Sequence, residues 1–101
     1  MEKIFTEATD RLFQAILKLK SEEECRLFFD DICTIKEIQD ISQRLEVATM
    51  LSEGKNYQEI SRKTGASTAT ICRVNKCLLY GDGGYKTILD RLEVKGASAD
   101  E

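Results

Sequence analysis

Short side chains that can donate and accept hydrogen bonds are concentrated in one part of this chain. The sequence there reads Ser67, Thr68, Ala69, Thr70, Ile71 and Cys72. Side chains of this length would let a helix approach the edges of nucleic-acid bases closely. Ser67 is a favoured N-cap residue, and the free amides at the start of a helix favour a phosphate group. The chemistry that this stretch predicts is therefore recognition through hydrogen bonds.

Two short helices must position these side chains, and the surrounding sequence has the pattern of a helix-turn-helix over about 57–78. Gly65 can adopt a positive φ and make the sharp turn, and Ser61 is small enough for two crossing helices to touch there. The residues placed to pack between the helices and onto the core are Ile60, Ala66, Ile71 and Val74. A plain helical hairpin would share the glycine turn, but it would not require the short polar face.

Positive charge is concentrated around this motif, although the 101-residue chain has a net charge of −3. Residues 55–86 contain six Lys and Arg against two Asp and Glu, whereas residues 1–54 contain seven against twelve. A basic block of this kind is typical of contact with the phosphates of double-stranded DNA. The predicted DNA-binding residues are Gln58, Arg62, Lys63, Ser67, Thr68, Ala69, Thr70, Cys72, Arg73 and Lys76. For Lys76, a plain surface position is an open alternative.

The composition argues against several other classes of protein. The chain has no histidine, and its four cysteines form no CxxC pair, so we expect no catalytic site, no metal site and no cofactor. The thiols are expected to be reduced and mostly buried. No stretch approaches the roughly 20 apolar residues of a membrane span, and the N-terminus lacks a secretory pattern. These features predict a soluble, cytoplasmic protein without a membrane partner.

Apolar residues at helical spacing predict an all-α protein with one domain over residues 1–95 and a frayed tail over 96–101. A first helix is expected over 3–20. Capping boxes at Ser21–Glu24 and Thr34–Glu37 open the second and third helices, and Gly54 ends the third. The second helix is expected to bury Cys25, Phe28, Phe29 and Ile32. The third helix has one apolar stripe, formed by Ile38, Ile41, Leu45, Ala48 and Leu51. A sixth helix contains Ile88, Leu89 and Leu92.

The sequence resembles the Trp repressor superfamily, and most closely its YerC/YecD-type branch of Trp-repressor-like proteins. The resemblance covers about Leu12 to Leu92, and the segment Gly65–Arg73 parallels the recognition helix of the family. It implies a six-helix subunit in an intertwined homodimer. The first three helices and the last would build the shared core, and the fourth and fifth would present the DNA-binding surface.

The resemblance also implies a possible ligand pocket. In members of the family that bind tryptophan, arginines of the third and fifth helices contact the ligand, and Arg44 and Arg73 match those positions. Thr34 matches a further pocket residue. The indole ring packs on a glycine where this chain has Val74, and a serine that helps to hold the amino group is replaced by Cys77. The resemblance therefore favours DNA binding without a ligand over a different small effector, and both over tryptophan.

Two functions remain open on the sequence alone. The first is a sequence-specific transcriptional regulator, a repressor by resemblance, that binds a palindromic site as a homodimer. The second is a helical, dimeric protein-interaction module that has lost DNA binding. If no tryptophan binds, Arg44 and Arg73 would have another role, such as a phosphate contact or a salt bridge to Glu37 or Glu46. Salt-dependent binding to a duplex distinguishes the two functions, because phosphate contacts release counterions.

Overall fold

A computed structural model describes the backbone of residues 5–100 and the side chains of residues 5–92. The described part of the chain contains six helices and no strand, which confirms the predicted all-α class. The helices are α1 (Glu7–Leu17), α2 (Glu22–Ile32), α3 (Ile35–Ser52), α4 (Tyr57–Thr64), α5 (Thr68–Tyr80) and α6 (Gly84–Asp100). No helix in these residues is long and apolar enough to cross a membrane.

The chain divides into two compact units, Met1–Ile38 and Gln39–Glu101. The prediction of a single domain over 1–95 stays a prediction. The frayed tail over 96–101 also stays a prediction; the backbone of α6 is helical as far as Asp100. Gly96 does not end the helix because a single glycine costs only about 1 kcal/mol relative to alanine, and no proline follows it. Residue 101 lies outside the described residues.

In the first unit, the ends of the helices are set by side-chain caps. α1 begins after Thr6 and ends at Leu17, so it is shorter than the predicted helix over 3–20, whose first two residues lie outside the described residues. The Ser21 hydroxyl accepts a hydrogen bond from the Glu24 amide at 3.1 Å, as predicted. The Glu24 carboxylate accepts from the Lys20 amide at 2.8 Å, one residue before the expected serine amide.

The second capping box forms as the sequence predicts. The Glu37 amide donates to the Thr34 hydroxyl at 3.1 Å, and the Thr34 amide donates to the Glu37 carboxylate at 2.8 Å. Both bonds satisfy amides that have no partner within the helix. The start of α3 is therefore fixed by local sequence alone.

The side chains predicted to be buried on α2 are not fully buried within the isolated chain, and their burial in a dimer core stays a prediction. Cys25 is exposed, Ile32 is 50% exposed, and Phe28 and Phe29 are half-buried against each other with ring centroids 5.7 Å apart. Neither α1 nor α2 has a fully buried residue. Two amphipathic helices expose apolar faces unless another layer covers them, and in the isolated chain these faces remain open to solvent.

The second unit contains a continuous core, which includes all four apolar residues predicted for the helix-turn-helix. Its buried members are Val47, Ala48, Met50, Ile60, Ala66, Ile71, Val74 and Leu89. On α3 the predicted stripe is only partly buried within the isolated chain. Ile41 and Leu45 are 51% and 37% exposed, whereas Val47 and Met50, outside that stripe, are buried. The apolar surface of α3 is wider than one stripe, so its periodicity could not show which half packs within the chain.

The cysteines also differ from the prediction of buried thiols. Cys25, Cys72 and Cys77 are exposed and Cys33 is half-buried, and all four are free. Cys72 lies on α5 outside the stripe formed by Ile71 and Val74. Cys77 is three residues after Val74, at the exposed edge of that stripe. The small apolar character of cysteine was a weak guide to burial here.

Candidate nucleic-acid interface

The turn between α4 and α5 is built by Ser61, Thr64, Gly65 and Ala66. Gly65 has φ +76°, as the sequence predicts, and its amide donates to the Ser61 carbonyl at 2.8 Å. The Ser61 hydroxyl donates to the Ala66 carbonyl at 2.8 Å. The left-handed glycine reverses the chain, and the serine ties α4 to the residue that precedes the cap of α5.

Two polar residues that form hydrogen bonds at this turn, Thr64 and Gln43, are not among the residues predicted from the sequence. The Thr64 hydroxyl donates to the Ile60 carbonyl at 2.7 Å and accepts from the Ala66 amide at 3.1 Å. Gln43, on α3, donates from Nε2 to the Thr64 carbonyl at 3.1 Å. The role of Thr64 could have been predicted from the local sequence, because the hydroxyl of a threonine beside the turn glycine can donate to a preceding carbonyl. Gln43 is 21 residues away, and no local pattern identifies it.

α5 begins as the sequence predicts. The Ser67 hydroxyl accepts from the Thr70 amide at 3.1 Å and lies 3.2 Å from the Thr70 hydroxyl. Ile71 and Val74 are buried on one side of the helix. The first turn of α5 is therefore rigidly capped, and its core side is fixed by apolar packing.

The other side of α5 is exposed. Its members Ala69, Cys72, Arg73 and Lys76 are all exposed, and their spacing of three and four residues places them on one stripe of the helix, here called the recognition face. Ser67 and Thr68 are exposed beside it, and Thr70 is half-buried. Short side chains at the start of this stripe and cations at its end suit close approach to a polyanion.

α4 adds further polar and cationic groups to the same unit. Gln58, Arg62 and Lys63 are exposed. Gln58 and Arg62 are four residues apart on one side of α4, and together with Asn56 and Glu59 they line a shallow recess of about 420 Å³. The predicted DNA-binding residues thus all lie on the two helices of the motif or, for Ser67, at the N-cap of α5, and all but Thr70 are exposed.

The residues of the possible ligand pocket have different environments. Arg44, Arg73 and Cys77 are exposed, whereas Val74 is only 2% exposed and belongs to the core. Thr34 belongs to the first unit, and its hydroxyl accepts the Glu37 amide. A ligand pocket formed by these residues stays a prediction. The burial of Val74 shows that its side chain already has partners.

Comparison with known proteins identifies the family. The Trp repressor protein family model matches residues 7–93. The chain belongs to this family. Protein YerC of Bacillus subtilis (strain 168) is 55% identical over 93 residues, which are 92% of this chain and 89% of YerC. The expected resemblance to YerC-type Trp-repressor-like proteins is therefore confirmed.

Two solved structures of the family share the fold. A Trp repressor candidate from Staphylococcus aureus is 52% identical, with a TM-score of 0.87 over 91% of this chain and 92% of that one. A TrpR-like protein from Eubacterium eligens ATCC 27750 is 54% identical, with a TM-score of 0.89 over 92% of this chain and 96% of that one. The Trp repressor family is one of transcription regulators and not of enzymes, in agreement with the sequence analysis.

Proposed function

We propose that this protein is a sequence-specific, double-stranded-DNA-binding repressor that inserts the first turns of α5 into the major groove. The observation that carries the proposal is the division of α5 into two sides. Ile71 and Val74 are sealed in the core, while Ala69, Cys72, Arg73 and Lys76 form an exposed stripe of short and cationic side chains. A recognition helix must be held by its inner side and present groups to base edges on its outer side.

The two helices divide the contacts between bases and backbone. Thr68 and Thr70, in the first turn of α5, are close enough to the helix start to donate hydrogen bonds to base edges. Thr70 Oγ1 lies 3.2 Å from the Ser67 hydroxyl, which restrains its side chain. Arg62 and Lys63, in the last turn of α4, suit phosphate contacts that fix the register of the protein on the duplex.

A second copy of the chain is the partner that completes the DNA-binding unit. Phe13 and Leu17 form an exposed apolar stripe on α1, and Leu27 and Ile35 are also largely exposed in the isolated chain. Apolar faces of this size are normally covered, and a homodimer would cover the same faces on both copies. Two-fold symmetry would place the recognition helices in successive major grooves about 34 Å apart, so the preferred site is palindromic.

DNA binding requires no tryptophan in this proposal. The side chain of Val74 is packed in the core, so an indole ring at this place would have to displace it. Overpacking a filled site typically costs about 1–3 kcal/mol. The apo-protein is then the form that binds the operator.

Selection from a random duplex library, followed by anisotropy titration over a range of salt concentrations, tests the function. We expect enrichment of a palindrome and an affinity that falls linearly on a log–log plot with salt, as counterion release requires. Failure to enrich any duplex, or an affinity for duplex independent of salt, would overturn the proposal. That outcome would favour the protein-interaction module.

A further inference from the structure

Gln43 connects α3 to the turn of the helix-turn-helix. Its Nε2 donates a hydrogen bond of 3.1 Å to the carbonyl of Thr64, 21 residues further along the chain. The same nitrogen lies 4.0 Å from the position that a Cβ on Gly65 would take. Gln43 therefore lies against both the last residue of α4 and the glycine that reverses the chain.

The Thr64 carbonyl requires a donor from outside its own helix. The last four carbonyls of an α-helix have no amide partner within it. At the end of α4, the Ser61 carbonyl accepts a hydrogen bond from the Gly65 amide. The Thr64 carbonyl receives Gln43. Gln43 thus satisfies a half-buried acceptor that the turn does not satisfy by itself.

The hydrogen bonds inside the turn fix its shape but not its orientation. The bonds from Ser61 to Ala66 and from Ala66 to Thr64 both start and end within the motif. Val47 and Met50 of α3 pack into the core of the second unit through apolar contacts, and apolar contacts have no preferred direction. A hydrogen bond has a preferred length and angle, so Gln43 adds a directional contact between α3 and the turn.

We propose that Gln43 is a positioning residue, whose amide sets the orientation of α4 and α5 on α3 and so holds the recognition face ready for DNA without a small ligand. The inference rests on the proposed DNA-binding function. In this chain Val74 fills the core side of α5, where a ligand would otherwise lie. A hydrogen bond within the chain, from Gln43, then holds the DNA-binding surface in place of a ligand.

The test replaces Gln43 by residues of similar length that differ in the ability to donate. Gln43→Glu keeps the shape and loses the donor, and Gln43→Lys supplies a donor again. Gln39→Glu is the matched control, because it adds the same charge at an exposed position about one turn earlier on α3. The probes are the duplex that the wild-type protein selects from a random library and a shuffled duplex of the same composition.

The readout is the ratio of the affinities for the selected and the shuffled duplex, which cancels the general effect of charge. We expect Gln43→Glu to lower this ratio about tenfold, equal to about 1.4 kcal/mol. Gln39→Glu should leave the ratio unchanged, and Gln43→Lys should restore most of it. An unchanged ratio in Gln43→Glu would overturn the inference. If Gln43→Glu does not fold, Gln43→Met removes the donor without adding a charge and decides the question in the same way.

A second readout separates this inference from the proposed function. Hydrogen exchange at the amides of Gly65 and Ala66 reports on the turn in the absence of DNA. Faster exchange in Gln43→Glu than in Gln39→Glu supports the positioning role. If the wild-type protein also selected no duplex, that failure would overturn only the proposed DNA-binding function. Equal exchange in the two variants would overturn the positioning role.

Discussion

The hydroxyl of Ser61 lies 2.8 Å from the carbonyl of Ala66 and donates a hydrogen bond to it across the turn between α4 and α5. Both residues are at least half-buried, and the Ala66 side chain belongs to the core. The bond therefore joins α4 to the turn residue that precedes the cap of α5, where crossing helices favour a small residue such as Ser61.

Ser61→Ala should lower the free energy of unfolding by about 1–2 kcal/mol, because the Ala66 carbonyl would lose its partner in a half-buried position. Urea denaturation followed by circular dichroism measures the change. Ser42→Ala, at an exposed position on α3, is the control and should be neutral or slightly stabilising. Equal effects of the two substitutions would show that the hydrogen bond contributes nothing to stability.

The proposed division of contacts predicts different effects on DNA binding. Thr70→Ala should weaken binding to the selected duplex by about 1–3 kcal/mol and relax the preference at one base step, since a base contact is lost. Lys63→Ala should weaken binding to all duplexes about equally and reduce the salt slope by about one. Anisotropy titrations on matched and mismatched duplexes measure both.

Lys18→Ala is the control for the second substitution, because Lys18 is an exposed lysine outside the helix-turn-helix. It should leave the salt slope unchanged. A Lys63→Ala variant that changed the base preference while keeping its affinity for shuffled DNA would contradict the assignment of this residue to phosphate.

The exposed apolar stripe on α1 predicts a dimer at micromolar concentration. Leu17 is 83% exposed in the isolated chain, and a lysine there would place a charge inside a dimer interface. Sedimentation equilibrium should give twice the 11.4 kDa chain mass for the wild-type protein and a lower mass for Leu17→Lys. Ala15→Lys adds the same charge at an exposed position on the opposite side of the same helix from Leu17 and should remain dimeric. A folded wild-type monomer would rule the assembly out.

Gly81, immediately after α5, is required by a close contact between backbone segments. Its φ of −84° is accessible to any residue, but a Cβ there would collide with the carbonyl of Cys77. Gly81→Ala should therefore lower the free energy of unfolding by about 1–3 kcal/mol, the usual cost of overpacking. Gly84→Ala is the control, because no atom lies within 4 Å of its Cβ position at the start of α6. If thermal unfolding showed both variants equally stable, the contact would be relieved by a backbone shift.

The sequence predicted local features well because they depend on neighbouring residues. The caps at Ser21, Thr34, Asn56 and Ser67 all form, each through a side chain that accepts an amide three residues later. The burial of the four apolar residues of the helix-turn-helix followed from their spacing. These elements are governed by helix geometry within a few residues.

The remaining features depend on long-range contacts. The sequence did not indicate Gln43, because its partner Thr64 becomes a neighbour only when α3 and α4 pack together. Ile41 and Leu45 are apolar and exposed, so the periodicity of α3 could not distinguish a face that packs within the chain from one left for a partner. Periodicity shows that a helix face is apolar and does not show what covers it.

Val74 is 2% exposed in the core, whereas Arg73 beside it is exposed. We expect L-tryptophan to give no binding isotherm in calorimetry and to leave DNA affinity unchanged, because an indole on this part of α5 would overlap a packed side chain. Val74→Ala should cost about 2 kcal/mol of stability through lost burial, and Val74→Gly about 1 kcal/mol more, since glycine is unfavourable within a helix. Cys77→Ala, at an exposed position one turn later, should change stability little and is the matched control. A low-micromolar isotherm for the unmodified protein, with tighter duplex binding when tryptophan is present, would show that the core can open at Val74 and that ligand-independent binding is wrong.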